Sequence, residues 1–405
     1  MRTLASLGLA VAVLLASGCS TTNGERSEAL ERQDRKQEQA QERAAATPPP
    51  PRTLPGPTEG IWISGEELRR LPTSGAAWER LKAAADGPMR PRDIADQDSN
   101  HDVKTLAVAL VAARTGDSDY RGRAADAIEG AIGTEEGGRT LALGRNLLSY
   151  VIAADLIDLR AYDPALDVEF REWLRMVRHE PLGSETVEDQ TLVGTHERSA
   201  SNWGGMAGAS RAAIAAYLGE EQELERVAKV MKGWLGDRAS YPGIPGLVFD
   251  SEDVGEGFRF GGSENDLTWH VDPSRPQGVN PKGAMKEGHS IDGALPEDMR
   301  RAGEFTWPPR YTQYPREALS GYVALAEILH RQGYDVFGWE DKALLRACEF
   351  LFELDEEFPE EEWWEPGVPA YWIVNYRYGT SFPVTGPDEG FGRNFGWTDW
   401  THAPR

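Results

Sequence analysis

The chain has 405 residues, 27% of them charged, and a formal net charge of −23. That length admits one large domain or two ordinary ones and is enough to bury a core without disulfide support. The acidity excludes the basic footprint that nucleic-acid binding requires. Residues 1–58 hold seven Arg/Lys and six Asp/Glu, so the whole excess, −24, falls in residues 59–405. An anionic substrate would therefore need a local basic pocket set in a repelling surface.

At the N-terminus Arg2 precedes an apolar run, Leu4 to Leu15, followed by Ala16-Ser17-Gly18-Cys19. The run is too short to span a bilayer and has a signal-peptide layout. Cys19 after small residues resembles a lipoprotein cleavage box, although Ala16 stands where Leu is usual. An ordinary signal cleaved nearby is the alternative. An acylated Cys19 would tether the mature chain to a membrane surface, with no spanning segment. The protein is then exported and held at the cell envelope (periplasmic or at the cell surface), or secreted. The stretch to Thr58 is rich in Glu, Gln, Arg and Ala, then in Pro (Pro48 to Pro51, Pro55, Pro57), a solvated, partly stiff tether. The expected organisation is a signal over 1–19, a disordered tether over 20–58 and one domain over 59–405. The other cysteine, Cys348, lies in an apolar helical pattern and reads as a small core residue.

Within the domain, Ser64 with Glu67 three places on marks a capped helix start. Apolar residues then recur at helical spacing around Ala76–Ala85, Val103–Val111, Ala124–Ala131, Leu143–Leu159 and Phe170–Val177. The pattern resumes over Met206–Leu218, Leu224–Leu235, Ala318–Leu329 and Ala343–Leu354, while strict alternation is nearly missing. An all-helical body of hairpin-linked helices follows. Asp237 to Ala294 is Gly/Pro/Asp-rich and too long for an ordinary connection. Trp363 to His402, crowded with Trp, Tyr, Gly and Pro, reads as an irregular wrap.

Three constellations could carry chemistry. Ser201-Asn202-Trp203-Gly204-Gly205 opens a helix; Asn202 is an N-cap candidate, the glycines admit close approach of a ligand, and Trp203 offers a stacking face. Arg301 and Tyr314 are set among Phe305, Trp307, Arg310 and Tyr311, directly before a long apolar helix. Arg supplies forked donors for a carboxylate, and aromatic faces suit a sugar ring. Among the histidines, His270 is the most site-like, since Asp272 or a nearby carbonyl could orient it; His196 and His289 lie near the irregular region. His101 and His402 read as structural, and His179 and His330 as helix C-terminal. No histidine or cysteine set has zinc spacing, and there is no nucleophile elbow, phosphate loop or dinucleotide fingerprint.

Asn202 at a helix start, Asp292-Gly293-Ala294-Leu295-Pro296 with Arg301, and Tyr314 with Ala318-Leu319 together resemble the alginate lyase family. The resemblance runs over roughly residues 60 to 400 in element order, with these three pieces its specific motifs. It implies an incomplete (α/α) toroid that cleaves a uronic-acid polysaccharide, alginate or glucuronan-like, by β-elimination. By this resemblance the carboxylate-neutralising Asn falls on Asn202, the Arg after the turn on Arg301 and the Tyr on Tyr314. Two features depart from the family pattern. Trp203 stands where many relatives have His. The Arg-to-Tyr spacing is longer, leaving Tyr311 and Arg310 as rivals. The histidine would then come from a later segment, His270 with His289 in reserve. Trp203, Trp307, Arg145 and Arg377 would position substrate.

The chemistry can be argued from the groups themselves. A uronate C5 proton is weakly acidic because the ionised carboxylate resists further negative charge. Donors from Asn202 and a charge from Arg301 or His270 would stabilise the enolate-like dianion. An unperturbed tyrosine titrates near 10, and one neighbouring cation lowers it by about 1–3 units, hence the value of Arg301 beside Tyr314. The expected partner is an anionic polysaccharide, with no metal or organic cofactor and a chain working as a monomer. Two other readings stand beside this one. A glycoside hydrolase would need a carboxylate pair from Asp292, Asp266 and Glu297, and a glycan-binding lipoprotein would need only the aromatic faces.

Overall fold

Helices dominate the computed structural model, which describes residues 60–403 without 90, 184–190, 241–259, 261–266 and 387–393. The expected signal, the tether and Cys19 lie outside the described residues. In chain order the helices are α1 (Gly65–Arg70), α2 (Ala76–Asp86), α3 (His101–Thr115), α4 (Ser118–Glu129), α5 (Thr140–Leu156) and α6 (Leu159–Tyr162). Then come α7 (Pro164–Val177), α8 (Leu192–Arg198), α9 (Asn202–Leu218), α10 (Glu221–Leu235), α11 (Pro296–Met299) and α12 (Tyr314–Arg331). The last three are α13 (Trp339–Glu357), α14 (Ala370–Tyr378) and α15 (Thr398–Thr401). Among the described residues one strand pair occurs, β1 (Met285–Lys286) against β2 (His289–Ser290), antiparallel.

Local chemistry accounts for the helix ends. Ser64 caps α1 by accepting the Glu67 N–H at 3.1 Å, while Glu67 accepts the Ser64 N–H at 2.7 Å, the expected reciprocal box. Asp163 caps α7 ahead of Pro164. Gly116 (φ 72°) and Gly219 (φ 73°) close α3 and α9 in the left-handed region.

Burial separates two kinds of helix. In α3, α5, α9 and α12 nearly every face is buried; in α5 every side chain from Thr140 to Ala154 is. Helices covered all round need no polar stripe. By contrast α2, α4, α7 and α10 bury one face each, as Leu166, Phe170, Trp173, Leu174 and Val177 do in α7. The buried four form a row in which α5 packs on α3 and α9, and α9 packs on α12. Glycine sets the spacing of that row. A Cβ on Gly321 would lie 2.5 Å from the Gly205 backbone, one on Gly205 2.7 Å from the Tyr322 ring, and one on Gly144 3.0 Å from the Ala207 nitrogen. Because Gly205 faces Gly321 and Tyr322 while Gly208 faces Leu325, α9 and α12 run in the same direction. Their N-terminal turns therefore lie side by side.

Two expectations require correction. The stretch from Trp363 to His402 is not simply irregular, since it contains α14 and α15. The helix expected from Met206 begins at Asn202, with Ser201 rather than Asn202 at the cap position. Cys348 is fully buried in α13, as its surroundings in the sequence imply.

The first and last described elements are locked together. The Trp62 ring packs on Phe395 at 5.1 Å and edge-on to His402 at 5.3 Å. Arg80 pairs with Asp399 at 2.7 Å, and Trp400 Nε1 donates to the Pro72 carbonyl at 2.9 Å. Among the described residues no helix is long and apolar enough to cross a membrane.

Candidate functional site

The closeness of α9 and α12 has a direct consequence at their N-terminal ends. Asn202, the first residue of α9, gives its backbone N–H to Asp298 Oδ1 at 3.0 Å, so a carboxylate from α11 satisfies one of the helix's unpaired donors. Its side-chain Nδ2 donates to Glu317 Oε2, on the first turn of α12, at 2.9 Å. Arg145 of α5 donates to the same oxygen through Nη2 at 2.8 Å. An amide and a guanidinium from two helices thus converge on one carboxylate from a third. Arg145 and Asn202 are 9% and 1% exposed, whereas the Glu317 side chain keeps 24% of its surface.

One turn before Glu317 stands Tyr314, half-buried, with the Arg301 guanidinium 4.1 Å from its ring centroid. Arg301 reaches it because the chain continues from α11 into a 3₁₀ turn, Arg300–Ala302, that presents Arg301 on the surface. Asp298 is fully buried next to this pair. Burial pushes its carboxyl well above the usual carboxylate range; the Asn202 N–H and the Arg301 charge oppose that, and Glu297 and Glu317 add to it. Asn202, Arg145, Arg301 and Tyr314, four of the residues named from the sequence, therefore occupy one neighbourhood.

The remaining candidates are distributed differently. His270 is buried, 1% exposed, with Nε2 3.6 Å from Glu297 Oε1, an ion-pair distance beyond hydrogen-bond range. Burial lowers the pKa of its ring and Glu297 opposes. Glu297 also accepts Arg300 Nε at 2.8 Å. His270 thus backs the site through α11 and offers no surface to a polymer, a correction to its expected direct role. Asp272 is engaged by Ser274, accepting both its N–H and its hydroxyl. His289, on β2, stacks on Trp307 at 4.5 Å, and Trp307 meets Phe358 edge-on. The loop bearing Trp307 is pinned where Phe305 N–H donates to Thr268 and Trp269 Nε1 to the Gly303 carbonyl. Arg310 is exposed and packs against Gly303.

Tyr311, the rival phenol, accepts Arg316 Nη2 at 2.9 Å and packs edge-on to Trp363. Burial pushes its phenol up, with Arg316 opposing. Trp203 is half-buried with the Arg139 guanidinium 5.3 Å from its ring, and Arg139 borders an open depression of about 550 Å³ with Glu136, Glu180 and Leu182. The glycines beside Trp203 serve packing: a Cβ on Gly204 would strike the Ser199 carbonyl at 1.9 Å. Close approach there is by protein, not by ligand.

Arg377 lies elsewhere. Its Nε donates to Glu327 Oε2 at 2.7 Å, within a buried cluster that also holds Arg331 and His402. Glu327 stands thirteen residues beyond Tyr314 on α12, or roughly 20 Å along the axis, so Arg377 is a structural counter-ion. Of the carboxylates considered for hydrolysis, Asp292 pairs with Arg346 and accepts the Gly283 N–H, Glu297 faces His270, and Asp266 lies outside the described residues. Among the described residues no group of three His, Cys, Asp or Glu side chains is placed to hold a metal.

Glu317 and Asp298 were not singled out in the sequence. Acidic residues in a first helical turn read as complements to the helix dipole. The available signal was spacing, since Glu317 follows Tyr314 by three and shares its face. No protein-family model matches the chain, and no curated protein matches it either.

Proposed function

We propose that this protein is a polysaccharide lyase that cleaves a uronic-acid polymer by β-elimination, on an incomplete (α/α) toroid resembling that of the alginate lyase family. The observation that carries this reading is the Arg301 guanidinium lying 4.1 Å over the Tyr314 ring, one helical turn from a buried amide–guanidinium fork already holding a carboxylate. The row of buried helices supports the toroid, with α3, α5, α9 and α12 as its inner layer. The N-terminal ends of α9 and α12, with Arg145 and Arg301, gather donors and positive charge at one place in an acidic molecule, offset by Glu317 and Asp298 in the empty protein.

In this reading Asn202 and Arg145 bind the C6 carboxylate and lower its resistance to further charge. Tyr314, as phenolate beside Arg301, takes the C5 proton; the electron pair forms the C4–C5 double bond as the C4–O4 bond breaks. The phenol then returns its proton to O4 on the same face. Atoms and charge balance without a further reactant. The chain is exported and tethered through Cys19.

The test is incubation of the purified protein with alginate, glucuronan, hyaluronan and pectate, following ultraviolet absorbance of the unsaturated end. A lyase produces the absorbance with at least one polymer; new reducing ends without it identify a hydrolase, and binding without cleavage a glycan-binding module. Tyr314→Phe and Arg301→Ala should each abolish turnover with thermal melting nearly unchanged. Activity surviving in both would refute these roles.

A further inference from the structure

Glu317 is the one member of the fork that can leave it. Asn202 is fixed by its place at the start of α9 and by the bond to Asp298, and Arg145 is embedded in α5. The Glu317 side chain, at 24% exposure, reaches water. A buried guanidinium needs a counter-charge at all times, because an unpaired buried charge is far costlier than an exchanged partner. Asp98 also pairs with Arg145, but through Nη1 at 4.0 Å from a side chain that is 72% exposed, which leaves Nη2 and the Asn202 amide to Glu317. A long, solvent-screened pair of that kind offsets little of the burial of Arg145, so a carboxylate on Nη2, from Glu317 or from a ligand, is the favoured occupant of the fork.

Resting on the lyase reading for the identity of its ligand, we propose that Glu317 is a resident stand-in for the substrate carboxylate. It holds the Arg145–Asn202 fork in the empty protein and turns out to solvent when a uronate binds. It is thus a specificity-determining residue of the same site. A sugar hydroxyl displaces it poorly, since that exchange would leave Arg145 with only the long, exposed Asp98 pair; a sugar carboxylate replaces the lost charge. The apparent affinity for uronate is reduced by the fraction of molecules in which Glu317 has vacated the fork.

The test uses free glucuronate, which has no glycosidic bond to cleave, with glucose as the neutral control, and isothermal calorimetry on the full chain. Glu317→Gln removes the competing charge and keeps the side-chain shape. It should bind glucuronate about tenfold more tightly than the wild type, the gain expected if the fork is open about one-tenth of the time, and should gain nothing for glucose. Equal or weaker glucuronate binding by Glu317→Gln overturns the inference, as does binding by neither protein. Should the variant fail to fold, a crystal of the wild type soaked in glucuronate decides. Glu317 turned away with the sugar carboxylate on Arg145 and Asn202 upholds the inference, and Glu317 still on the fork, with or without bound sugar, overturns it. Tighter glucuronate binding without cleavage of any polymer would sink the lyase reading alone. Cleavage without the affinity gain would sink this inference alone.

Discussion

At the level of single residues, two arginines named together from the sequence separate in what they do. Arg145 donates to Glu317 at the fork, while Arg377 neutralises buried Glu327 at the other end of α12. Their substitutions should therefore part company. Arg377→Ala leaves a buried carboxylate short of a partner and should cost on the order of 3–5 kcal/mol of stability, read from denaturant midpoints, with the affinity of remaining folded protein for oligouronate unchanged. Asn202→Ala should instead lower kcat by about 10²–10³-fold, the usual cost of one donor to a developing charge. It should keep the backbone bond to Asp298 and lose the side-chain bond to Glu317, costing only about 1 kcal/mol of stability. The pairing of Arg301 with Tyr314 was legible because both belong to recognisable sequence pieces. Glu317 was not, because an acid in a first turn has an ordinary explanation and its contacts, Arg145 and Asn202, are 172 and 115 residues away.

At the level of elements, the site depends on how near α9 and α12 come. A methyl at Gly321 would meet the Gly205 backbone at 2.5 Å, and backbone cannot step aside as a flexible side chain can. Gly321→Ala should cost about 1–3 kcal/mol in chemical denaturation. It should also lower activity in the protein that still folds, by moving Glu317 and Tyr314 from Asn202; full activity at wild-type stability would contradict the packing argument. The same glycines hid the start of α9: Gly204 and Gly205 are poor helix formers, so the periodic signal begins at Met206, whereas packing against Tyr322 extends the helix to Asn202. The nine residues of α14, AYWIVNYRY, went unread for a related reason. They are aromatic and β-branched with burial on several faces, so neither composition nor period marks a helix. The long buried helices were the easiest to read, since a 15- to 18-residue apolar pattern has few other solutions.

For the whole molecule, charge and pH give the sharpest expectations. A chain whose residues 59–405 carry −24 repels a polyanion at long range. Raising ionic strength from about 10 to 150 mM shortens the screening length from about 30 to 8 Å, so kcat/KM on a long uronate polymer should rise with salt. A steady fall would mean that the local arginines dominate the encounter. Acid should loosen the fold in a defined direction. Burial alone would raise the Glu327 carboxyl, yet hydrogen bonds from His402 and Arg377 hold it at about 2, below its ordinary 4.5. Glu67 is likewise buried in part and held at about 2 by Arg331 and Ser64. A carboxyl with a depressed folded pKa stabilises fully above its unfolded value and loses that contribution as pH falls toward the folded one. Thermal midpoints should accordingly drop between pH 4.5 and 2, and Glu327→Gln should flatten that drop while lowering the midpoint at neutrality.

The lock between the two extremities of the folded body bears on how such a molecule comes into being. Trp400 meets Pro72 across 328 positions, Arg80 meets Asp399 across 319, and Trp397 meets the Val103 carbonyl across 294. Contacts this distant in sequence close slowly and late, so the first helices to leave the ribosome lack these neighbours until residues 397–400 have been made. If the leader-like start does direct export, that delay is an advantage. A chain so delayed would stay threadable through a translocation pore until the residues around Trp400 joined those around Pro72.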